Sequence, residues 1–143
     1  MDLEHTVGAV RLPERFARLP YLQEFYGTVA WSVRGIYGGY LGWFDGNPTD
    51  LNPLPPLERA ANTVNLMGGI EAVSAAAIAA QEAGNAQWSL ELADLVLTLD
   101  PDHAEVRRAK ARGLIDLARH ETSANGRHYY LACAKDLLDG SAS

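Results

Sequence analysis

Apolar residues recur at helical spacing along most of the chain. Val29, Val33, Ile36 and Tyr40 stand at i, i+4, i+7 and i+11, which places them on one stripe of a helix. No segment shows the sustained alternation of apolar and polar residues that is typical of a strand. The pattern therefore predicts a chain built from helices alone.

Turn-forming residues predict where the later helices begin and end. Pro56 is placed to open a helix that continues to Met67, and the Gly68-Gly69 pair ends it. Asp102 and Glu105 have the spacing of a capping box, so we expect Asp102 to cap the following helix. The predicted breaks after that first helix are Gly84-Asn85, Asp100-Pro101 and the polar loop at 122–126, and the last helix is expected to end at Leu138.

The segment 27–46 has an unusual composition. It holds six of the 13 glycines, and six of the twelve aromatic residues lie between Tyr26 and Phe44. A glycine inside a helix costs about 1 kcal/mol relative to alanine, so several in one helix need a reason. Close approach of another backbone or of a ligand is the usual reason. We expect this helix to end near Gly42, with Trp31 and Gly38 on the side opposite the Val29 stripe.

These patterns predict an all-α fold of about six or seven helices, with tetratricopeptide-like antiparallel helix pairs. Residues 1–20 are predicted to be an N-terminal lead-in, with one or two helical turns between Pro13 and Pro20. Residues 84–101 resemble the second half of a tetratricopeptide repeat, in which a proline closes each unit. An ordinary helical hairpin explains the same residues equally well. Only one and a half units are traceable, whereas a free-standing array needs roughly three.

Composition and charge exclude several classes of protein. The net charge of −6 over 143 residues lacks the basic footprint of a nucleic-acid-binding protein. A single cysteine, Cys133, cannot form an internal disulfide, and no apolar run reaches the roughly 20 residues of a membrane span. The start of the chain is acidic and has no apolar segment, so we expect no signal peptide.

The sequence contains no catalytic motif that can be identified from spacing. The four histidines share no metal-ligand spacing and are expected at the surface or at helix caps, so we predict no metal site in this chain. The residues able to contact a ligand are Arg34, Tyr37, Tyr40, Trp43, Asp45 and Asn47. The guanidinium of Arg34 suits sulfate, phosphate or carboxylate, although an ion pair with a nearby carboxylate such as Asp45 is the alternative. The aromatic members also fit a core, and Asp45 and Asn47 also fit a turn.

The run YGTVAWSVRGIYGGYLGWFDGNPT at residues 26–49 resembles the signature of the alkyl sulfatase dimerisation domain. The resemblance extends over residues 19–138. It includes Leu54-Pro55-Pro56, Gly68-Gly69, Asp100-Pro101 and the run RHYYL at 127–131. On this basis residues 21–140 are predicted to form one helical domain of that type.

The resemblance implies that the chain is the middle part of a larger enzyme. That enzyme would have a zinc-binding catalytic domain of metallo-β-lactamase fold and a C-terminal sterol-carrier-like domain, and it would hydrolyse alkyl sulfate esters. The H-x-H-x-D-H metal motif of the catalytic domain is missing here, so we expect no activity from this chain alone. The expected partners are a second copy and the two other domains.

Two alternatives accompany this interpretation. A tetratricopeptide-like module would bind a peptide in a helical groove. Within the sulfatase interpretation, either the glycine-aromatic run or the later helices could form the dimer contact. We expect residues 26–49 to face the catalytic domain, with Arg34 and Tyr37 towards its sulfate site, and the later helices to face the second subunit.

Overall fold

The computed structural model describes residues 3–140, and within that range all regular secondary structure is helical. The α-helices are α1 (Leu3–Ala9), α2 (Glu14–Ala17), α3 (Val29–Leu41), α4 (Pro56–Leu66), α5 (Ile70–Glu82), α6 (Ala86–Leu99), α7 (Ala104–His120) and α8 (Ala124–Asp139). Two 3₁₀ turns lie at Pro20–Leu22 and Pro48–Leu51. The all-α prediction is confirmed for the described residues, while the tetratricopeptide-like pairing stays a prediction.

Helix ends follow the predicted turn chemistry. Pro56 is the first residue of α4, where its missing N–H leaves no donor unpaired. Gly68 and Gly69 take φ values of 97° and 98°, which side chains with a Cβ rarely adopt, and they separate α4 from α5. The breaks before α6 and after α8 also fall at glycines with positive φ, Gly84 and Gly140.

The start of α7 differs from the prediction. The capping residue is His103 rather than Asp102, and its Nδ1 accepts from the backbone N–H of Val106 at 3.4 Å. The Asp102 side chain instead lies 3.6 Å from the guanidinium of Arg107. Since Nδ1 of His103 accepts, its Nε2 carries the proton and donates to Ser74 Oγ at 3.2 Å. The hydrogen bond to Ser74 on α5 thus holds His103 in the capping position. Sequence spacing does not reveal this tertiary contact.

The chain divides into two compact units. Within the described residues, the first comprises 3–53 together with 122–126, and the second comprises 54–121 and 127–140. In the second unit, α5 packs on α6, α6 packs on α7, and α4 packs on α6. Its main core cluster is buried and almost entirely aliphatic, with Val64, Val73, Ala77, Leu92, Ala93, Val96 and Val106 as members.

Polar and steric contacts fix the packing of the second unit. The buried hydroxyl of Ser89 donates to the Ala77 carbonyl at 2.8 Å, which joins α6 to α5. A Cβ placed on Gly113 would lie 2.6 Å from Cδ1 of Leu90, so the glycine allows α7 to approach α6 closely. The guanidinium of Arg107 donates twice to the Leu137 carbonyl, at 3.1 and 3.2 Å, and so joins α7 to the last turn of α8.

The first unit has a different character, because none of its residues between 3 and 53 is buried. Helix α1 packs against α3. Thr28 caps α3 by accepting from the N–H of Trp31 at 3.0 Å, and the helix ends at Gly42 with φ of 77°, as predicted. The buried residue Ser123 donates its hydroxyl to the Tyr26 carbonyl at 2.6 Å. The segment before α3 is thereby held by the start of α8.

Among the described residues, no single helix has both the length and the hydropathy of a membrane span. Helices α4 and α5 meet those criteria only as a pair, and the pair bends by 87° at its break.

Candidate functional site

A groove in the first unit brings together most of the predicted ligand-contacting residues. It lies between the start of α1 and the second half of α3, and its volume is about 720 Å³. Four of the six predicted residues line it, and the lining comprises Leu3, Glu4, Arg34, Tyr37, Gly38, Gly42, Trp43 and Asp45. Tyr40, whose side chain is 87% exposed, and Asn47 do not line it.

Arg34 is the cationic group of the groove. Its Nη2 donates to Oε2 of Glu4 at 2.8 Å, and both side chains are exposed to solvent, 42% for Arg34 and 72% for Glu4. Arg34 therefore forms an ion pair, as the alternative held, but its partner is not Asp45: the observed carboxylate lies in the lead-in, 30 residues away in sequence. Exposed pairs of this kind contribute about 0–1 kcal/mol, so an anionic ligand can displace Glu4 at little cost.

Asp45 and Asn47 build the turn that follows α3. Oδ1 of Asp45 accepts from the backbone N–H of Asn47 at 2.8 Å, and Oδ1 of Asn47 accepts from the N–H of Thr49 at 3.2 Å. The Asn47 amide also donates to the Asp50 carboxylate at 3.0 Å. The structure therefore supports the turn role for Asn47. Asp45 has two roles, because it builds the turn and also lines the groove.

Aromatic rings form the apolar part of the groove. Tyr37 is half-buried, and Trp43 packs against Phe44 with ring centroids 5.6 Å apart in a tilted arrangement. Sequence reasoning identified these rings, but it missed Glu4 and Leu3, because α1 was taken as part of a lead-in. The groove thus combines one guanidinium, whose carboxylate partner can be exchanged for a ligand, with an apolar wall.

Titratable side chains in residues 3–140 form no cluster of three or more that could hold a metal ion. His103 is used as a helix cap.

Aromatic side chains are strongly exposed in the described chain. None of the twelve is buried, and nine are exposed: Tyr21, Phe25, Tyr26, Trp31, Tyr40, Trp43, Phe44, Trp88 and Tyr129. Seven of these nine belong to the first unit. Aromatic residues normally supply much of a core or of an interface, so this surface has the composition of a contact region.

The sequence profile described as alkyl sulfatase dimerisation matches residues 3–140. The chain belongs to this family. The resemblance recognised in residues 26–49 is therefore confirmed, and the chain is an alkyl sulfatase dimerisation domain.

Curated relatives of this domain are alkyl sulfatases of much greater length. A linear primary-alkylsulfatase from a Pseudomonas species is 44% identical over 94% of this chain and 26% of its own length. An (R)-specific secondary-alkylsulfatase from Pseudomonas is 33% identical over 91% of this chain and 20% of its own. An alkyl/aryl-sulfatase from Saccharomyces cerevisiae is 33% identical over 92% of this chain and 20% of its own length. The domain thus spans about a quarter or less of these relatives.

A solved structure has the same fold. The stereoselective inverting sec-alkylsulfatase from a Pseudomonas species superposes with a TM-score of 0.92 and 31% sequence identity, over 100% of this chain and 23% of that chain.

Proposed function

We propose that this domain joins two subunits of an alkyl sulfatase, presents a surface to the catalytic part, and hydrolyses no sulfate ester alone. The observation that carries the proposal is the unburied aromatic surface of the first unit, which holds seven of the nine exposed aromatic side chains of the described residues. A domain that worked as a free monomer would gain stability by burying these rings. The family description, which names dimerisation, supports the same assignment.

The reaction of the parent enzyme is part of the proposal. We propose that it hydrolyses primary or secondary alkyl sulfates, as the names of the relatives suggest for those proteins. A domain of metallo-β-lactamase fold would hold zinc, which acts as a Lewis acid and activates water, and a sterol-carrier-like domain would receive the alkyl chain. Residues 3–140 offer no cluster of metal ligands, so zinc would be bound elsewhere in the parent.

The activity assay on the isolated domain tests the scaffold role. Pure protein supplied with zinc is expected to show no turnover of dodecyl sulfate and no stoichiometric zinc binding, because the described residues lack a ligand set. Hydrolysis of dodecyl sulfate that stays with the domain through further purification steps would contradict the scaffold role.

The groove of the first unit gives this domain a role near the substrate. We propose that Arg34 exchanges Glu4 for the sulfate group of the ester, while Tyr37 and Trp43 contact the first carbons of the alkyl chain. Asp45 fixes the turn that carries Trp43, and Tyr40 and Asn47 act outside the groove. Support comes from the guanidinium geometry, from the low cost of leaving an exposed carboxylate, and from the apolar wall beside the charge.

Replacement of Arg34 in the full-length parent tests this role. Arg34→Gln removes the charge but keeps hydrogen-bonding capacity, and loss of a charged hydrogen bond of about 1.5–3 kcal/mol corresponds to roughly a 10- to 100-fold fall in kcat/KM. We expect most of this fall in kcat/KM to come from a higher KM, and we expect the variant to remain a dimer. Arg18→Gln is the matched control, because Arg18 forms an exposed pair with Glu14 away from the groove. Equal kcat/KM for both variants would contradict the role of Arg34.

A peptide-binding role has one observation in its favour. A second groove, of about 510 Å³, lies among α6, α7 and α8, and its lining includes Leu97, Leu114, Tyr129 and Leu137. Selection of a displayed peptide library against the domain separates the two functions. An enriched peptide whose binding is lost in Tyr129→Ala would favour the peptide-binding module, whereas a dimer that enriches no peptide would favour the dimerisation role.

A further inference from the structure

The groove of the second unit, about 510 Å³ in volume, is walled by facing stripes of α7 and α8. On each helix three lining residues stand at i, i+3 and i+7, which places them on one helix face: Arg107, Lys110 and Leu114 on α7, and Tyr130, Cys133 and Leu137 on α8. The bonds from Arg107 to the Leu137 carbonyl, at 3.1 and 3.2 Å, bring these two residues together at one end. The volume falls within the range of about 300–1,000 Å³ that is typical of small-molecule sites.

The two ends of this groove differ in chemistry. At one end lie Arg107 and Lys110, which are neighbours on the surface of α7. At the other end Leu114 belongs to a buried core cluster, against which Tyr130 and Cys133 pack. The groove therefore offers cationic donors at one end and an apolar wall at the other.

Both cations can accept a further anion. Lys110 is 22% exposed, whereas its partner Asp94 is 61% exposed, and a carboxylate so well solvated leaves its cation at little cost. Arg107 is 13% exposed, and the acceptors nearest its Nη1 are the Pro101 carbonyl at 3.5 Å and the Asp102 carboxylate at 3.6 Å. Both distances exceed those of a normal hydrogen bond.

The charge of the lining favours an anion. Among the described residues that line the groove, the charged ones are Arg107, Lys110 and the exposed Asp136, which is two cations against one carboxylate. A ligand with one negative charge at one end of an apolar chain matches this distribution. A peptide matches it less well, because it carries polar amide groups along its whole length.

We propose that the groove of the second unit binds a linear alkyl chain that ends in one anionic group, such as an alkyl sulfate or a fatty acid. The anion would lie between Nζ of Lys110 and Nη1 of Arg107, where charge-assisted hydrogen bonds hold it. The chain would lie against Leu114 and Tyr130. This site goes beyond the scaffold role, and it is separate from the groove that contains Arg34.

Cys133 provides a reporter inside the groove. It is the single cysteine of the chain, and it is half-buried. Alkylation by iodoacetamide, followed by mass spectrometry, therefore measures how much of the groove is free. The test uses the 143-residue chain with Arg34→Gln, which removes the cation of the other groove. With octyl sulfate at ten times its calorimetric dissociation constant, we expect the alkylation rate to fall roughly tenfold, because only the free groove reacts.

Matched small molecules test the two halves of the ligand. Octanoate is expected to shield Cys133 as octyl sulfate does, and the lower of the two dissociation constants tells which head group the site prefers. Octyltrimethylammonium reverses the charge on the same chain, and methyl sulfate removes the chain. Neither is expected to shield Cys133 at the concentration at which octyl sulfate does. Equal shielding by octyltrimethylammonium would overturn the proposal.

A pair of charge-removing variants tests the head-group position. Lys110→Met keeps an apolar stem but loses the charge, and we expect octyl sulfate to bind roughly tenfold more weakly by calorimetry. Arg112→Met is the matched control, because it makes the same change in net charge at an exposed residue of α7 that does not line the groove. Equal affinity of the two variants would overturn the assignment of Lys110. Circular dichroism would check that both variants keep their helix content.

Other occupants of the groove give different results. Faster alkylation in octyl sulfate would show unfolding rather than binding, and it would overturn the proposal. A Cys133 that is shielded without ligand and reacts only on dilution would assign the groove to a second copy of the chain. A selected peptide that shields Cys133 when octyl sulfate does not would assign it to peptides. Each of these results would overturn the amphiphile site and leave the role of Arg34 untouched.

Discussion

Ser123 shows how a single buried polar residue can hold two distant segments in place. Its hydroxyl donates to the carbonyl of Tyr26 at 2.6 Å, and its oxygen accepts from the N–H of Gly126 at 3.2 Å. The residue therefore caps α8 and fixes the segment before α3 in one arrangement. The neighbouring N–H of Ala124 adds a bond to the Phe25 carbonyl at 2.6 Å.

Removal of this hydroxyl should weaken the first unit. Ser123→Ala leaves the Tyr26 carbonyl without this donor and the buried N–H of Gly126 without its acceptor, so we expect a loss of about 1–3 kcal/mol in the free energy of unfolding by urea denaturation. Thr98→Ala is the control, because it removes an exposed hydroxyl that bonds only within its own helix. Equal stability of the two variants would contradict the role assigned to Ser123.

Residue-level predictions from the sequence succeeded where local chemistry decides and were wrong where a distant partner decides. Gly42 ends α3 as expected, because the left-handed backbone needs glycine whatever surrounds it. The cap of α7 was assigned to Asp102, but Ser74 on α5 holds His103 in that place. For an ion pair of Arg34 the sequence suggested a nearby carboxylate such as Asp45, but α1 supplies Glu4. Sequence spacing contains neither of these tertiary contacts.

Helix α3 is the element on which the functional account depends. Its predicted stripe is only partly covered: Val29 and Val33 are half-buried, while Ile36 and Tyr40 are exposed. A helix with this little cover depends on its caps, Thr28 at the start and Gly42 at the finish, in addition to the packing of α1. The periodicity predicted the helix, and turn chemistry predicted its end near Gly42, but only the structure shows which side of the helix lines the groove.

The N-cap of α3 should therefore matter more than caps usually do. Thr28→Ala removes the acceptor for the N–H of Trp31, a loss of about 0.5–2 kcal/mol. We expect faster hydrogen exchange of the first-turn amides of α3, with no change in the amides of α6, which lies in the buried core of the second unit. Thr28→Ser keeps the oxygen and should restore protection. Unchanged exchange in Thr28→Ala would show that other contacts hold the helix.

Helix α1 explains why the predicted count of six or seven helices was too low. The lead-in contributes two of the eight α-helices in residues 3–140, and both are short: α1 has seven residues and α2 has four. Such lengths contain too few turns for an apolar stripe, and isolated helices this short are unstable. Packing of α1 against α3 stabilises it, and this packing also completes the groove.

The two units of the molecule use their apolar residues differently. The second unit buries Leu92, Val96 and Val106 in a conventional aliphatic core. The first unit buries nothing between residues 3 and 53, although it holds most of the exposed aromatic side chains. The hydrophobic content of 48% could not reveal this division, because composition does not distinguish a core from an interface. The family description names dimerisation, a function that leaves apolar surface exposed on a single subunit.

The measurement that tests the central claim most directly is sedimentation equilibrium of the 143-residue chain over a concentration series that extends into the micromolar range. The account predicts a species of twice the 15.5 kDa monomer mass, with the monomer appearing only on dilution, because the aromatic surface of the first unit needs a partner. A single species of monomer mass at every concentration would contradict dimerisation as the function of this chain.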